Sequence, residues 1–160
     1  MPVITAGKRE EGFMTIRRLL YCLFFILPVL SSCETEIGAD TIPPITFDDI
    51  FVNLSLPEYN DLITKGYMYI PSGGRSRGII LYRSGNNYLA YERTCSYLPY
   101  EATSIVDVNV AGTAMTDYSC NSVFNFQTGF PEAGPAINAL QQYRTILDGG
   151  FLTITDEVVN

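Results

Sequence analysis

From Thr46 onward, the chain consists of short apolar-rich segments that are separated by tight-turn signals. Residues 51–56 (FVNLSL) alternate apolar and polar side chains, as a strand with one buried face does. The turn signals are Gly and Asn residues, as in 84–87 (SGNN) and 148–150 (DGG), which tolerate the positive φ angles of hairpin turns. Roughly eight short strands with little helical sequence predict an all-β domain, an antiparallel sandwich or barrel.

The spacing of these segments predicts three hairpins, over 78–93, 104–117 and 144–155. Residues 58–63 predict a short helical turn after Pro57. Residues 136–143 leave two alternatives open. Their Ala, Leu and Gln content favours a helix, whereas the two prolines before them favour an extended loop.

The composition excludes several functions. The chain of 160 residues contains no histidine and has a net charge of −7. Without an imidazole, His-based acid–base catalysis and Ser-His-Asp or Cys-His nucleophilic catalysis are excluded. The acidic charge, with no basic run longer than two residues, argues against nucleic-acid binding. We therefore expect a protein that is not an enzyme and has no nucleic-acid partner.

The first 33 residues resemble a bacterial lipoprotein signal. Arg17-Arg18 precede an apolar run, 19–30, that is the size of a signal-peptide core and short for a membrane span. The run ends in Leu-Ser-Ser-Cys, which resembles a lipobox with Cys33 as the lipidation site. We expect 1–32 to be an upstream extension and signal peptide, with Met14 as the more natural start. A buried helix with an incidental cysteine is the alternative.

The resemblance implies acylation of Cys33, palmitate included, and anchoring to a cell-envelope membrane, the outer membrane, on its periplasmic or surface face. Residues 33–45 would be the lipidated cysteine and a linker, followed by one β domain over 46–160. Six of the ten basic and fifteen of the seventeen acidic residues remain in the mature chain, so its net charge is −9. Glu34 and Glu36 resemble a surface-export signal, or form a solvated tether.

The stretch before Cys95 resembles the first cluster loop of a Rieske iron–sulfur domain. GIILYR, followed by YLAYERTCSY, is similar to the strand that enters this loop, whose motif is Cys-x-His. Cys95 matches the cysteine, and Tyr97 stands where the histidine would be. Downstream, 129–131 (GFP) and 134–136 (GPA) are similar to the family's proline-containing loop.

The second loop of the family reads Cys-x-x-His-Gly-Ser-x-Phe. When 122–124 (SVF) is set on its last three positions, Asn121 falls at the glycine, Cys120 at the histidine and Asp117 at the cysteine. One of the four cluster ligands survives, Cys95. A Rieske centre needs two thiolates and two imidazoles. The resemblance therefore implies a Rieske-like β fold with a smaller two-loop subdomain, degenerate cluster positions and neither metal nor cofactor.

The two loops face the same cluster in the Rieske fold, so the resemblance places Cys95 and Cys120 next to each other. In an exported protein they are expected to form a disulfide in place of the metal centre. Two free thiols or a redox-active pair are the alternatives. The functional hypothesis is a lipid-anchored, cluster-free binding or structural module with an envelope protein or glycan as partner. The alternative hypothesis is an iron–sulfur electron-transfer or oxidoreductase component with non-standard ligands.

Overall fold

The computed structural model describes residues 42–160, and every structural statement below concerns this part of the chain. The predicted upstream extension and signal peptide, the lipidation site Cys33 and most of the predicted linker lie outside the described residues. Within 42–160, no helix is long and apolar enough to cross a membrane.

Strands dominate the described residues. They are β1 (Ile50–Asn53), β2 (Tyr67–Ile70), β3 (Ile79–Ser84), β4 (Asn87–Glu92), β5 (Val106–Val108), β6 (Met115–Asp117), β7 (Ser122–Phe124), β8 (Pro131–Ala133), β9 (Gln142–Asp148) and β10 (Phe151–Val158). A 3-10 helix (Pro57–Tyr59) and the short helix α1 (Asp61–Thr64) lie between β1 and β2. The larger sheet has the order β1-β10-β9-β4-β3-β2, and the smaller one the order β5-β6-β7-β8. The predicted all-β fold with a smaller subdomain is confirmed.

All neighbouring strands in both sheets are antiparallel, and the three predicted hairpins are present. They are β3–β4, β5–β6 and β9–β10. The pairing of β4 with β9 joins the first hairpin to the last one, with Ala90 opposite Tyr143. The strands of the smaller sheet follow β4 and precede β9 in the chain, so the small subdomain is an insertion between two neighbouring strands of the larger sheet.

Strand β3 is buried on both faces, which explains its continuous apolar sequence. Ile79 and Leu81 point into a core cluster formed by the larger sheet, and Ile80 points into a second cluster shared with the smaller sheet. All three side chains are fully buried. Burial of each contributes about 1.5–3 kcal/mol relative to exposure. The second cluster contains Cys95 and Phe124, so the hydrophobic core itself fixes the base of the cysteine loops.

Four details of the predicted elements can be compared with the structure. The short helical turn predicted over 58–63 is present. The strand predicted over 51–56 ends at Asn53, because the Asn53 side chain accepts the Ser55 N–H in a tight turn. Strand β8 was not predicted, since Pro131 disfavours strands except at sheet edges, which is where β8 lies. Residues 136–141 form an extended loop, and β9 begins at Gln142.

Candidate functional site

Three loops meet at one end of the smaller sheet. The first loop (93–105) leads into β5, the second (118–121) joins β6 to β7, and the third (134–141) follows β8. Adjacent strands of this sheet are antiparallel. The start of β5, the β6–β7 turn and the end of β8 therefore lie at the same end of the sheet. The topology thus brings both cysteine-bearing loops and the proline-containing loop together.

Hydrogen bonds hold the three loops to one another. The Ser96 hydroxyl of the first loop donates to the Asn138 carbonyl of the third at 2.6 Å. The Ala136 N–H of the third loop donates to Ser122 Oγ, at the start of β7, at 3.1 Å. A residue outside the three loops also holds the first loop, since the Arg77 guanidinium donates to the Glu101 carbonyl at 2.5 Å. Side-chain hydrogen bonds therefore connect these loops to one another and to the rest of the domain.

The local backbone supports the placement of the second loop in the sequence comparison. Asn121 has a φ of +61°, in the left-handed region that favours glycine and, after it, asparagine. Asn121 is the residue that the Rieske resemblance places at the family's glycine. The turn therefore has the left-handed conformation that a glycine readily adopts.

Three of the four degenerate cluster positions come together. The sulfur atoms of Cys95 and Cys120 and a carboxylate oxygen of Asp117 all lie within 4.8 Å of one another. Cys95 and Asp117 are both 0% exposed, and Cys120 is half-buried. Both cysteines are free thiols in the structure. The geometry confirms that the two loops face each other, whereas the predicted disulfide is not formed here and stays a prediction.

The fourth position, Tyr97, contributes to packing and to the pocket wall. Its side chain packs against the second core cluster. It also lines a pocket of about 340 Å³ beside Cys120, which Leu98, Ser104 and Pro135 line as well. Solvent therefore reaches the cysteine loops from the side of Cys120, while Cys95 lies behind it in the core.

The environment of Cys95 suppresses its reactivity. Burial raises the pKa of the Cys95 thiol far above its ordinary value. The Tyr97 N–H, which donates to Cys95 Sγ at 3.5 Å, opposes this, and the neighbouring Asp117 and Cys120 raise the pKa further. A cysteine is an effective nucleophile only as the thiolate, which requires a lowered pKa and exposure. Cys95 has neither property.

Asp117 is bonded through one carboxylate oxygen. Its Oδ1 accepts hydrogen bonds from the Ser119 N–H at 2.8 Å and the Ser119 hydroxyl at 2.6 Å. Its Oδ2 is buried and has no hydrogen-bond partner within the described residues. Cys120 in turn donates its thiol to Ser122 Oγ at 3.0 Å. Sequence reasoning identified Asp117 and Cys120 and aligned Ser122, but it missed Ser119 and the hydrogen bonds by which both serine hydroxyls orient these residues. The available signal was the spacing, since Ser119 follows Asp117 by two residues and Ser122 follows Cys120 by two residues.

These residues do not fit a 2Fe–2S cluster of the Rieske type. Such a cluster bridges two irons and needs four protein donors, two thiolates and two imidazoles. The site offers two thiols and one carboxylate, and the fourth position carries a tyrosine, whose neutral phenol is a weak ligand for iron of this kind. The three converging residues thus lack the donor set that such a cluster needs.

A six-stranded antiparallel sheet with an inserted four-stranded subdomain that holds two facing cysteine loops defines a Rieske-like β domain. No protein-family model matches the chain, and no curated protein matches its sequence. Among solved structures, the plasma membrane Rieske protein PetC3 of the cyanobacterium Synechocystis PCC 6803 is similar to it, with 22% identity and a TM-score of 0.47 over 59% of this chain and 91% of that one.

Two further solved structures show a similar arrangement. One is a complex of reduced oxygenase and oxidized ferredoxin in carbazole 1,9a-dioxygenase, with 18% identity and a TM-score of 0.45 over 60% of this chain and 85% of that one. The other is the ferredoxin of carbazole 1,9a-dioxygenase from Nocardioides aromaticivorans IC177, with 16% identity and a TM-score of 0.42 over 71% of this chain and 98% of that one.

Proposed function

We propose that this protein is a lipid-anchored component of the cell envelope whose Rieske-like domain holds no iron–sulfur cluster and serves as a non-enzymatic binding or structural module. The observation that carries the proposal is the donor set at the converging loops: Cys95, Asp117 and Cys120 occupy three of the four cluster positions, and the fourth carries Tyr97. The loops are nevertheless held in place by core packing and hydrogen bonds. These contacts connect the loops through the protein's own side chains and backbone.

The burial of the site also argues against catalysis. Cys95 and Asp117 are both 0% exposed, so neither group presents a surface to a substrate molecule. The chain has no histidine to act as a general base, and the raised pKa of Cys95 keeps this thiol protonated. A nucleophilic or acid–base role for these residues has no support in their geometry.

In the exported protein, Cys95 and Cys120 form a disulfide. Their sulfur atoms lie within 4.8 Å, and a disulfide requires about 2.05 Å. The two sulfur atoms can approach by rotation of the half-buried Cys120 side chain, which requires less rearrangement than movement of the fully buried Cys95. The two thiols are oxidised by an envelope disulfide donor, which is reduced to a dithiol and takes up both protons. The loop of about 24 residues that is closed in this way gives on the order of 3 kcal/mol of stabilisation.

Binding is supported by the outer surface of the same loops. Tyr100 and Ile137 are 70% and 66% exposed, and Tyr118 is 58% exposed. Tyrosine is enriched in protein interfaces, because it combines a large apolar body with a hydrogen-bonding group. The acyl chains on Cys33 would hold the domain at the membrane, with an envelope protein or glycan as the partner of this surface.

Metal and sulfide analysis tests the proposal. The full chain, purified without oxygen in detergent, is expected to be colourless and to contain neither stoichiometric iron nor acid-labile sulfide. A brown protein with two irons and two sulfides per chain would overturn the proposed function in favour of an electron carrier. Non-reducing peptide mapping of the same protein from the envelope is expected to recover Cys95 and Cys120 in one linked peptide pair.

A further inference from the structure

The proposed function leaves the buried carboxylate of Asp117 without a role. We infer that, in the thiol state, Cys95, Asp117 and Cys120 form a binding site for a single divalent cation of the zinc class. The inference rests on the proposed function to the extent that the site must be free of an iron–sulfur cluster. It adds a ligand to that site and a condition for binding it, namely that both cysteines are reduced.

The three donor atoms have the spacing that such an ion needs. They all lie within 4.8 Å of one another. In a tetrahedral zinc site with Zn–S near 2.3 Å and Zn–O near 2.0–2.2 Å, neighbouring donors are about 3.5–3.8 Å apart. A contraction of about 1 Å, again through the half-buried Cys120, closes the site around an ion. The second loop already directs both Asp117 and Cys120 towards Cys95, so no change of fold is needed.

The hydrogen bonds of Asp117 provide an independent observation that indicates a ligand. A fully buried carboxylate oxygen that receives no hydrogen bond carries a desolvation cost, and Asp117 Oδ2 has no donor among the described residues. Ser119 donates two hydrogen bonds to Oδ1 and none to Oδ2, and one carboxylate oxygen of Asp117 lies within 4.8 Å of both sulfur atoms. Outer hydrogen bonds that fix one oxygen of a carboxylate while the other binds metal are a common feature of metal sites. A cation beside Oδ2 would satisfy the remaining acceptor.

The donor types select the kind of ion. Two thiolates are poor ligands for Mg²⁺ and Ca²⁺, which prefer sites made of oxygen atoms, whereas Zn²⁺ accepts sulfur and carboxylate oxygen together. Two thiolates and a carboxylate give three protein ligands, which leaves one tetrahedral position for water. The pocket beside Cys120, lined also by Ser119 and Pro135, brings solvent to the Cys120 side of the site.

The site and the disulfide use the same two sulfur atoms, so they exclude each other. When Cys95 and Cys120 are bonded, neither sulfur is a thiolate and two of the three ligands are lost. When they are reduced, binding of the cation releases their two protons and ties the first loop to the second. Cation binding therefore depends on the oxidation state of the pair.

Titration of the full chain with Co²⁺, a spectroscopic substitute for Zn²⁺, tests the inference. The protein is used in detergent, freed of metal and kept reduced with a phosphine, and Zn²⁺ is then added in competition. The wild type is expected to bind one Co²⁺ with sulfur-to-cobalt charge-transfer absorption and tetrahedral visible bands, and Zn²⁺ should abolish both. The Asp117→Asn variant, which keeps the shape of the side chain, should lose at least about 10-fold in affinity. Asp148→Asn, the same change at an exposed carboxylate at the end of β9, should bind as the wild type does.

The variants Cys95→Ser and Cys120→Ser should each lose the charge-transfer absorption while retaining the β-sheet circular dichroism of the wild type. The inference is overturned if the reduced wild type binds no Co²⁺, or if Asp117→Asn binds it as tightly as the wild type. It is also overturned if the oxidised protein binds it equally well. A colourless, iron-free protein that binds no Co²⁺ removes the cation site but leaves the proposed function intact, whereas stoichiometric iron and sulfide remove both.

Discussion

Gly134 lies against the backbone of Ser122, so that a Cβ atom at position 134 would stand 2.5 Å from the Ser122 Cα. Gly134 also has a φ of +89°, which side-chain-bearing residues rarely adopt. This contact sets the distance between the third loop and the start of β7, which follows the second loop. It also places the Ala136 N–H where it can donate a hydrogen bond to Ser122 Oγ. The approach of the two backbones at this point holds the cysteine site together.

Gly134→Ala is therefore expected to destabilise the domain and separate the third loop from the second. A strained φ costs about 1–3 kcal/mol, and the overlap with backbone atoms adds to this. The matched control is Gly85→Ala in the β3–β4 turn, where φ is +64° and nothing lies within 4 Å of the added Cβ. Urea unfolding should show a clearly larger loss for Gly134→Ala. Equal losses would mean that the contact with Ser122 is unimportant.

A second buried pair lies in the core of the larger sheet. The Tyr143 hydroxyl donates to Glu92 Oε2 at 2.8 Å. The same carboxylate accepts the Arg75 N–H at 2.7 Å and both the N–H and the hydroxyl of Thr94. Glu92 is thus a structural group that links the β2–β3 connection to the start of the first cysteine loop.

Tyr143→Phe should destabilise the protein by about 1.5–3 kcal/mol, since a hydrogen bond to a buried charged group is lost. Tyr91→Phe is the matched control, because the Tyr91 hydroxyl donates to the neutral Phe126 carbonyl at 2.9 Å from an equally buried position. Its cost should be smaller, about 1 kcal/mol. Chemical denaturation of both variants measures the difference. A larger loss for Tyr91→Phe would contradict the structural role of Glu92.

The same two tyrosines make stability depend on alkaline pH. Burial raises the pKa of both the Tyr91 and the Tyr143 phenols, and the Glu92 charge raises that of Tyr143 further. In the unfolded chain a tyrosine ionises near pH 10. Below that pH both states keep the proton and stability is unaffected. As the pH rises above it, the unfolded state loses protons that the native state retains, so stability falls.

Unfolding free energies measured from pH 8 to 11 should therefore decrease above about pH 10, and Tyr143→Phe should make the decrease less steep. The double variant Tyr91→Phe/Tyr143→Phe should reduce it further. At pH 8 the phenols keep their protons in both states. The difference in unfolding free energy between the variants at that pH therefore measures the lost hydrogen bond, without a contribution from the titration. A slope that is identical in the wild type and the double variant would show that these phenols do not titrate between the two states.

The sequence predicted the fold well, because strands, turns and the buried faces of strands depend on residues that are close together in the chain. The three hairpins were predicted from glycine and asparagine turns, and each turn chemistry acts over only a few residues. Strand β8 could not be predicted, since Pro131 is a poor strand residue by itself and its pairing with Phe124 is set by the edge of the sheet. The end of β1 depended on one side chain, Asn53, that stabilises a turn.

The site was predicted less completely than the fold. The resemblance placed Cys95, Asp117 and Cys120 at cluster positions, and the structure brings the three together. The free Oδ2 of Asp117 could not be predicted, because it depends on the Ser119 hydrogen bonds, on burial by the core and on the closeness of two loops more than 20 residues apart in sequence. These are properties of tertiary contacts, which a residue pattern does not contain.

Oxidation of the Cys95–Cys120 pair should stabilise the domain. The loop that the bond closes gives about 3 kcal/mol by reduction of the entropy of the unfolded chain. With a urea m-value of about 1–3 kcal/mol/M, the unfolding midpoint of the oxidised protein should be about 1 M or more above that of the reduced protein. A chelator in both samples removes any contribution from a bound cation.

The double variant Cys95→Ala/Cys120→Ala is the control, and its midpoint should not respond to reductant. If the wild type also fails to respond, the pair does not close within one chain in solution. If oxidation instead gives dimers that reductant separates, Cys120, the more exposed of the two thiols, forms the bond between chains, and the proposed disulfide is wrong. A rise in midpoint confined to the oxidised monomer would show that the two loops are cross-linked by sulfur where a Rieske domain holds them by metal.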